Sequence, residues 1–193
     1  MHRYQILVEY SSLPKFVGWQ KQLKGKSIQK EIEKILTKLL KQKIIIYAAG
    51  RTDKGVAALG QSAHFDTNFK IKEINKLIKS LNFFLNPKKI SIINIYKKNK
   101  KFHARYSAKE RVYKYIIINR LGTPVIENER VWHIRKKLDI KLLKEGAKRL
   151  LGTHDFSTMR ANNCYAKSPV KKNNKINIKN TNNKIQIEFR SKS

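Results

Sequence analysis

Apolar and polar positions alternate or recur along the chain in a way that spells out its elements. Arg3 to Tyr10, RYQILVEY, is rich in β-branched and aromatic residues and reads as a strand. The loop-like segment SSLPKFVGWQKQLKGK follows, with Pro14, Gly18 and Gly25. Ser27 then suits an N-cap, and Ile28, Ile32, Ile35, Leu36, Leu39 and Leu40 recur at helical spacing as far as about Lys41. Ile44 to Ala48 reads as a second strand, and Gln61 to Asp66 as a third. Ile71, Ile74, Leu77, Ile78 and Leu81 mark a second helix, which Pro87 ends before the strand ISIINIYKK.

The second half begins near Ser107. ERVYKYIIIN is a long strand, and RVWHIRK another beyond the turn at Gly122-Thr123-Pro124. Asp139 suits the cap of a third helix carrying Leu142, Leu143, Ala147, Leu150 and Leu151, with Gly152 at the C′ position. KINIK and KIQIEF flank Asn180 to Asn183 as a hairpin, and the basic run Met159 to Lys175 reads as a mobile loop. The pattern predicts an α+β fold with helices packed on a sheet face. Two sheet-plus-helix halves are expected, residues 1–106 and 107–193.

Charge changes the picture next. The 193 residues include 44 Lys and Arg against 13 Asp and Glu, a formal net charge of +31. Such an excess favours a polyanionic partner, nucleic acid ahead of a membrane surface. Part of it reflects a chain crowded with Lys, Asn and Ile, as A+T-rich coding would produce. No apolar run approaches the ~18 residues of a membrane span, and MHRYQILVEYSS lacks the features of a signal peptide. Cys164 is the only cysteine, which excludes an internal disulfide or a multi-cysteine zinc site and fits a reducing, cytoplasmic compartment.

Candidate chemistry concentrates in IIIYAAGRTDKG, Ile44 to Gly55. Gly50 and Gly55 have P-loop spacing, but Val56 and Ala57 stand where Lys and Ser or Thr are needed. Asp53 therefore remains open to three readings: a turn aspartate capping its own backbone, a metal ligand without carboxylate company, or a catalytic carboxylate. A carboxylate beside a cation stays ionised and can act as nucleophile or base. His64 and His103 read as packed histidines, with direct nucleic-acid contact as the alternative and metal ligation excluded, and Tyr115 as structural.

The segment AAGRTDKGVAALGQSAHF, Ala48 to Phe65, resembles the signature of the TruA family of tRNA pseudouridine synthases. GWQ (Gly18 to Gln20), FHARYSA (Phe102 to Ala108), RVYKYIIIN (Arg111 to Asn119) and GTHDFS (Gly152 to Ser157) follow in the family's order. The resemblance implies the pseudouridine synthase fold, a mixed, mainly antiparallel sheet flanked by helices with its two halves around a central cleft, and isomerisation of uridine to pseudouridine in the tRNA anticodon stem-loop, at positions 38–40. It implies Asp53 as the catalytic residue, Tyr113 stacked on the target base, and Arg51 and Arg105 as RNA contacts. It further implies no cofactor or metal, and a homodimer with one tRNA spanning both subunits. Three departures accompany it: Tyr10-Ser11-Ser12 where Tyr-Asp-Gly is common, Ala57 in place of a histidine, and the end at Ser193. Relatives are expected to continue into a Phe and a Val-Arg pair whose arginine meets the catalytic Asp. A non-catalytic RNA-binding descendant of the enzyme is the rival reading.

Overall fold

The computed structural model describes residues 1–11, 15–127, 130–160 and 168–192. They form two compact units, Met1–Ala108 and Lys109–Ser193. The first runs β1 (His2–Tyr10), α1 (Ile28–Leu40), β2 (Tyr47–Ala48), β3 (Ala58–Thr67), α2 (Ile74–Leu85) and β4 (Ile90–Lys98). The strands form one sheet in the order β2-β3-β1-β4, antiparallel throughout.

Alternation in β1 puts Tyr4, Ile6, Val8 and Tyr10 in the core, with Phe65 and Ala63 of β3 opposite Tyr4 and Ile6. In β4 the apolar spacing Ile90, Ile92, Ile95 breaks the period of two. A bulge repairs it: Val8 pairs with Ile92 and Leu7 with Asn94, so Ile93 is the extra residue. Ile93 is 46% exposed, while Ile90, Ile92 and Ile95 all reach the core. Helix α1 buries the expected stripe Ile28, Ile32, Ile35, Leu36 and Leu40, and α2 adds Leu77, Leu81 and Leu85. Ser27 caps α1 by accepting the Lys30 N–H, and Lys41 ends it in the left-handed region at φ 50°.

Two elements differ from the sequence pattern. Of Ile44 to Ala48, only Tyr47–Ala48 pairs as a strand. Side chains of α1 take the backbone groups of the rest: Thr37 Oγ1 accepts the Ile44 N–H (3.1 Å), Glu33 Oε1 accepts the Ile46 N–H (3.0 Å), and Gln29 Nε2 donates to the Ile46 carbonyl (3.1 Å). The second helix begins at Ile74 rather than Ile71, whose N–H donates to Tyr4 Oη at 2.8 Å. Pro87 falls in a short 3-10 turn, Asn86–Lys88.

The turn after β4 is fastened to the sheet by two side chains. Arg3 grips both carboxylate oxygens of Asp66 (2.8 and 2.7 Å) and donates to the carbonyls of Lys100 and Phe102 (2.8 and 2.7 Å). His64, 1% exposed, accepts the Ala104 N–H on Nδ1 at 3.1 Å. Burial, then the charges of Arg3 and His103, depress its pKa to about 4.

The second unit holds β5 (Arg111–Asn119), β6 (Trp132–Ile134), α3 (Ile140–Arg149), β7 (Gly152–Asp155), β8 (Val170–Thr181) and β9 (Lys184–Lys192). Its sheet runs β6-β5-β9-β8-β7, with β5 and β6 parallel and the other pairs antiparallel. The hairpin expected around Asn180 to Asn183 turns at Asn182, φ 55°. Strand β8 starts at Val170, so the end of the segment read as a loop is sheet; residues 161–167, with Cys164, lie outside the described ones. Asp139 caps α3 through Oδ1, taking the N–H groups of Lys141 and Leu142. The helix buries none of its own residues, and Gly152, at φ +95°, opens β7 two residues past the Leu150 cap.

Two stability outcomes follow. Leu81→Ala, from a fully buried site, lowers the urea-unfolding free energy by about 2–5 kcal/mol. Leu142→Ala, from a position 63% exposed, changes it by less than about 0.5 kcal/mol, although both leucines belong to apolar helical stripes. Acid supplies the second. A histidine depressed in the fold takes up its proton more readily when unfolded, so stability is full above the ordinary histidine pKa of 6.5 and falls as pH drops toward about 4. The loss reaches roughly 3 kcal/mol. Asp66, held low by Arg3, adds to it at still lower pH. Urea midpoints across this range check the sign, and His64→Asn flattens the slope.

Candidate active site

The glycine-framed loop leaves β2 at Ala48 and returns at β3, and five contacts fix it. The Ala49 N–H donates to the Ser62 carbonyl (2.8 Å), and Gln61 Nε2 donates to the Gly50 carbonyl. Thr52 is held twice: its carbonyl accepts the Trp19 N–H (3.0 Å) and its Oγ1 shares a hydrogen bond with Tyr10 Oη (2.8 Å). The Val56 N–H closes the turn on the Asp53 carbonyl (3.2 Å). Gly55 sits at φ +83°, as such a tight return requires.

GWQ supplies the wall behind this loop. Gly18 lies at φ +112°, and a Cβ there would stand 2.5 Å from the Thr52 carbonyl oxygen and 3.2 Å from the Asp53 carbonyl carbon. Only glycine permits that approach. The next residue, Trp19, is 1% exposed against Tyr10, ring centroids 5.7 Å apart, and the Gly18 and Trp19 carbonyls accept N–H groups at the start of α1. The loop thus rests on a buried aromatic pair that is itself tied to a helix N-terminus. Burial raises the Tyr10 pKa, so its hydroxyl keeps its proton at neutral pH. Tyr10, Ser11, Phe16, Gly18, Asp53 and Val56 line a shallow depression at the foot of the loop.

Asp53 is exposed, and its carboxylate has no hydrogen bond or ion pair to another described residue. The sequence has four aspartates. Asp66 is gripped by Arg3, Asp139 caps α3, and Asp155 accepts from both N–H and Oγ of Ser157. Those contacts answer ordinary structural needs, and Asp53 answers none of them with its side chain. Arg51, two residues earlier, is also exposed and forms no ion pair with it.

Arg105 lies on the fastened turn after β4. Ser107 Oγ accepts the His103 N–H (3.0 Å), and His103 Nδ1 accepts the Arg105 N–H (3.2 Å). The Arg105 guanidinium stands over the Tyr106 ring at 5.8 Å. His64 and His103 pack in one aromatic group with Tyr47, Phe102 and Tyr106, as histidines read as packed should. No group of three or more His, Cys, Asp or Glu is placed to hold a metal among the described residues. No described helix is long and apolar enough to cross a membrane.

Tyr113 belongs to the second unit. It pairs in register with Phe189, and the residue is 52% exposed on a face shared with Tyr115, Ile187 and Phe189. Tyr115, expected to be structural, is 57% exposed and meets Phe189 edge-on at 6.2 Å. Gly18, Trp19 and Arg3 have tasks in the fold that the sequence pattern alone does not assign. No single-residue signal announces a positive φ or a cross-strand clamp.

No family model matches the chain. Curated relatives do, over nearly its whole length. It is 57% identical over 193 residues to tRNA pseudouridine synthase A of Pelagibacter ubique (strain HTCC1062), covering 100% of this chain and 78% of that protein. It is 40% identical over 194 residues to the enzyme of the same name in Anaplasma phagocytophilum (strain HZ), covering 99% and 78%. It is 40% identical over 193 residues to that of Paramagnetospirillum magneticum (strain ATCC 700264 / AMB-1), covering 100% and 75%. With its order of motifs intact across both units, the chain belongs to the tRNA pseudouridine synthase A family, a family of isomerases.

Proposed function

We propose that this chain converts uridine to pseudouridine in the anticodon stem-loop of tRNA, at positions 38–40, with Asp53 as its catalytic carboxylate. One observation carries the reading. Asp53 alone among the aspartates has an open carboxylate, and it stands on a loop whose backbone is bolted at Ala49, Gly50 and Thr52. A carboxylate that is fixed in place and unspent is suited to meeting a ribose.

The isomerisation breaks the bond from ribose C1′ to uracil N1 and forms a bond from C1′ to C5. The C5 proton is released and N1 gains one, so nothing is oxidised and no external group is donated. Asp53 serves by adding to C1′ and leaving again, or by removing a proton from the sugar and returning it. Either route requires the nucleotide to leave its stack, at roughly a few kcal/mol. Tyr113 offers a ring face on which any uracil can stack. Arg51 and Arg105 supply charge for the flanking phosphates, and Arg105 is held in reach by a turn that Arg3 and His64 fasten. The functional unit is a homodimer with one tRNA across both subunits, working in the cytoplasm.

The test is pseudouridine mapping in an unmodified anticodon stem-loop. Wild-type protein yields product, and Asp53→Ala lowers the rate by ~1000-fold or more while retaining RNA affinity, since it removes a reacting group and not a phosphate contact. Tight, salt-sensitive binding without product from the wild type supports a non-catalytic RNA-binding protein instead. Tyr113→Leu lowers kcat/KM by ~10- to 100-fold, the cost of one base–aromatic stack. Tyr115→Leu costs less than about threefold; an equal loss from both would remove the assignment of Tyr113.

A further inference from the structure

A cleft of about 350 Å³ opens at the end of the second sheet where β5 finishes and the β8–β9 hairpin turns. Arg120, Arg135, Lys137, Asn180, Asn182 and Asn183 stand around it, all exposed. Its walls are fixed by Asn119. That side chain donates to the carbonyls of Ile134 and Lys136 (both 2.8 Å) and accepts the Leu138 N–H (3.0 Å), while its backbone N–H donates to the Asn183 carbonyl (2.7 Å). The His133 ring bonds the Arg120 carbonyl (2.9 Å), and Arg120 Nε holds the Gly122 carbonyl (3.0 Å). The segment from β6 to α3 is thereby strapped to the end of β5, which is itself bonded to the hairpin at Asn183.

The lining is cationic without compensation. No carboxylate lines it, and the neighbouring Asp139 spends Oδ1 on the cap of α3. Arg135 and Lys137 make no ion pair or side-chain hydrogen bond with another described residue. The general lysine excess does not account for this rim, because the chain has 34 lysines but only ten arginines. Guanidinium forks match phosphate oxygens, and asparagine amides offer both donors and acceptors to ribose hydroxyls.

We propose that this cleft grips the sugar–phosphate backbone of the tRNA substrate, away from the base being isomerised. It rests on tRNA being that substrate and on Tyr113 marking the target. From Tyr113 to Asn119 is six residues along β5, or ~20 Å. That distance exceeds the span of a single nucleotide, so the grip is separate from the stacking site.

The experiment titrates Asp53→Ala protein with tRNA at several salt concentrations, so that binding is read without turnover. Arg135→Gln with Lys137→Gln is compared with the same two charges removed from α3, Lys144→Gln with Lys148→Gln. The cleft variant flattens the log–log salt slope by about two and weakens binding ~10-fold or more. The α3 variant changes the slope by less than half as much. In the Asp53 background restored to wild type, the cleft variant raises KM with kcat unchanged at saturation. Equal slopes for the two variants, or no change from the cleft variant, overturn the proposal. So does pyrophosphate bound tightly at the cleft and lost in the cleft variant with the RNA slope intact, which would assign it to a free diphosphate. A wild-type chain that binds tRNA with the predicted slopes but makes no product leaves the cleft standing and removes the catalytic reading.

Discussion

The hold on Thr52 is the constraint on which the rest depends. A loop framed by Gly50 and Gly55 has little of its own to keep it in one place, since glycines lose the most backbone freedom on ordering. Here the Trp19 N–H takes the Thr52 carbonyl, the Tyr10 hydroxyl takes its side chain, and Gly18 lets the two backbones close to a distance that a methyl group would forbid. The ordering cost is offset from within the core, by a buried Trp–Tyr pair and a helix start. Asp53 closes the turn with its carbonyl and is carried there with its side chain uninvolved. Its position is set by its neighbour, and its carboxylate is left available.

Charge gives that availability meaning. A surface with 44 basic and 13 acidic side chains attracts a polyanion at almost any orientation. Attraction alone selects nothing, so the specific features matter more than the total. Arg3 and His64 hold the turn bearing Arg105 against the first sheet, and Asn119 straps a cationic cleft at the end of the second. In each case a polar side chain saturates backbone groups that no strand or helix partner reaches. Rigid placement of a few cations, within a diffuse positive field, is how such a surface would convert nonspecific attraction into a register.

Much of this was legible in the residues. The stripe of α1, its Ser27 cap, the Asp139 cap and the Asn182 turn are local features with local causes, and they stand where the pattern placed them. The loop carrying Asp53 was found as a composition anomaly, a carboxylate between glycines in a basic chain. What escaped depended on long-range partners. Ile44 to Ile46 has strand composition, but Thr37, Glu33 and Gln29 reached its backbone before a strand did. Ile93 fell outside the core because a bulge, invisible in one strand alone, reset the register. The leucines of α3 obey helical spacing yet none is buried, since periodicity reports amphipathicity and not what covers the face. Gly18 needed the fold to show that the chain approaching it was the loop bearing Asp53.

The central claim is that the Tyr10–Thr52 hydrogen bond acts on catalysis by holding the loop, and a double-mutant cycle on the single-turnover rate tests it most directly. Tyr10→Phe keeps the ring against Trp19, and Thr52→Val keeps the shape of the side chain, so each removes one partner of the 2.8 Å bond. The account predicts that each single change slows pseudouridine formation by ~10-fold, about 1.4 kcal/mol, with tRNA affinity unchanged. It predicts that the double variant is no slower than either single one. Unchanged rates, or two losses that multiply in the double variant, would contradict it.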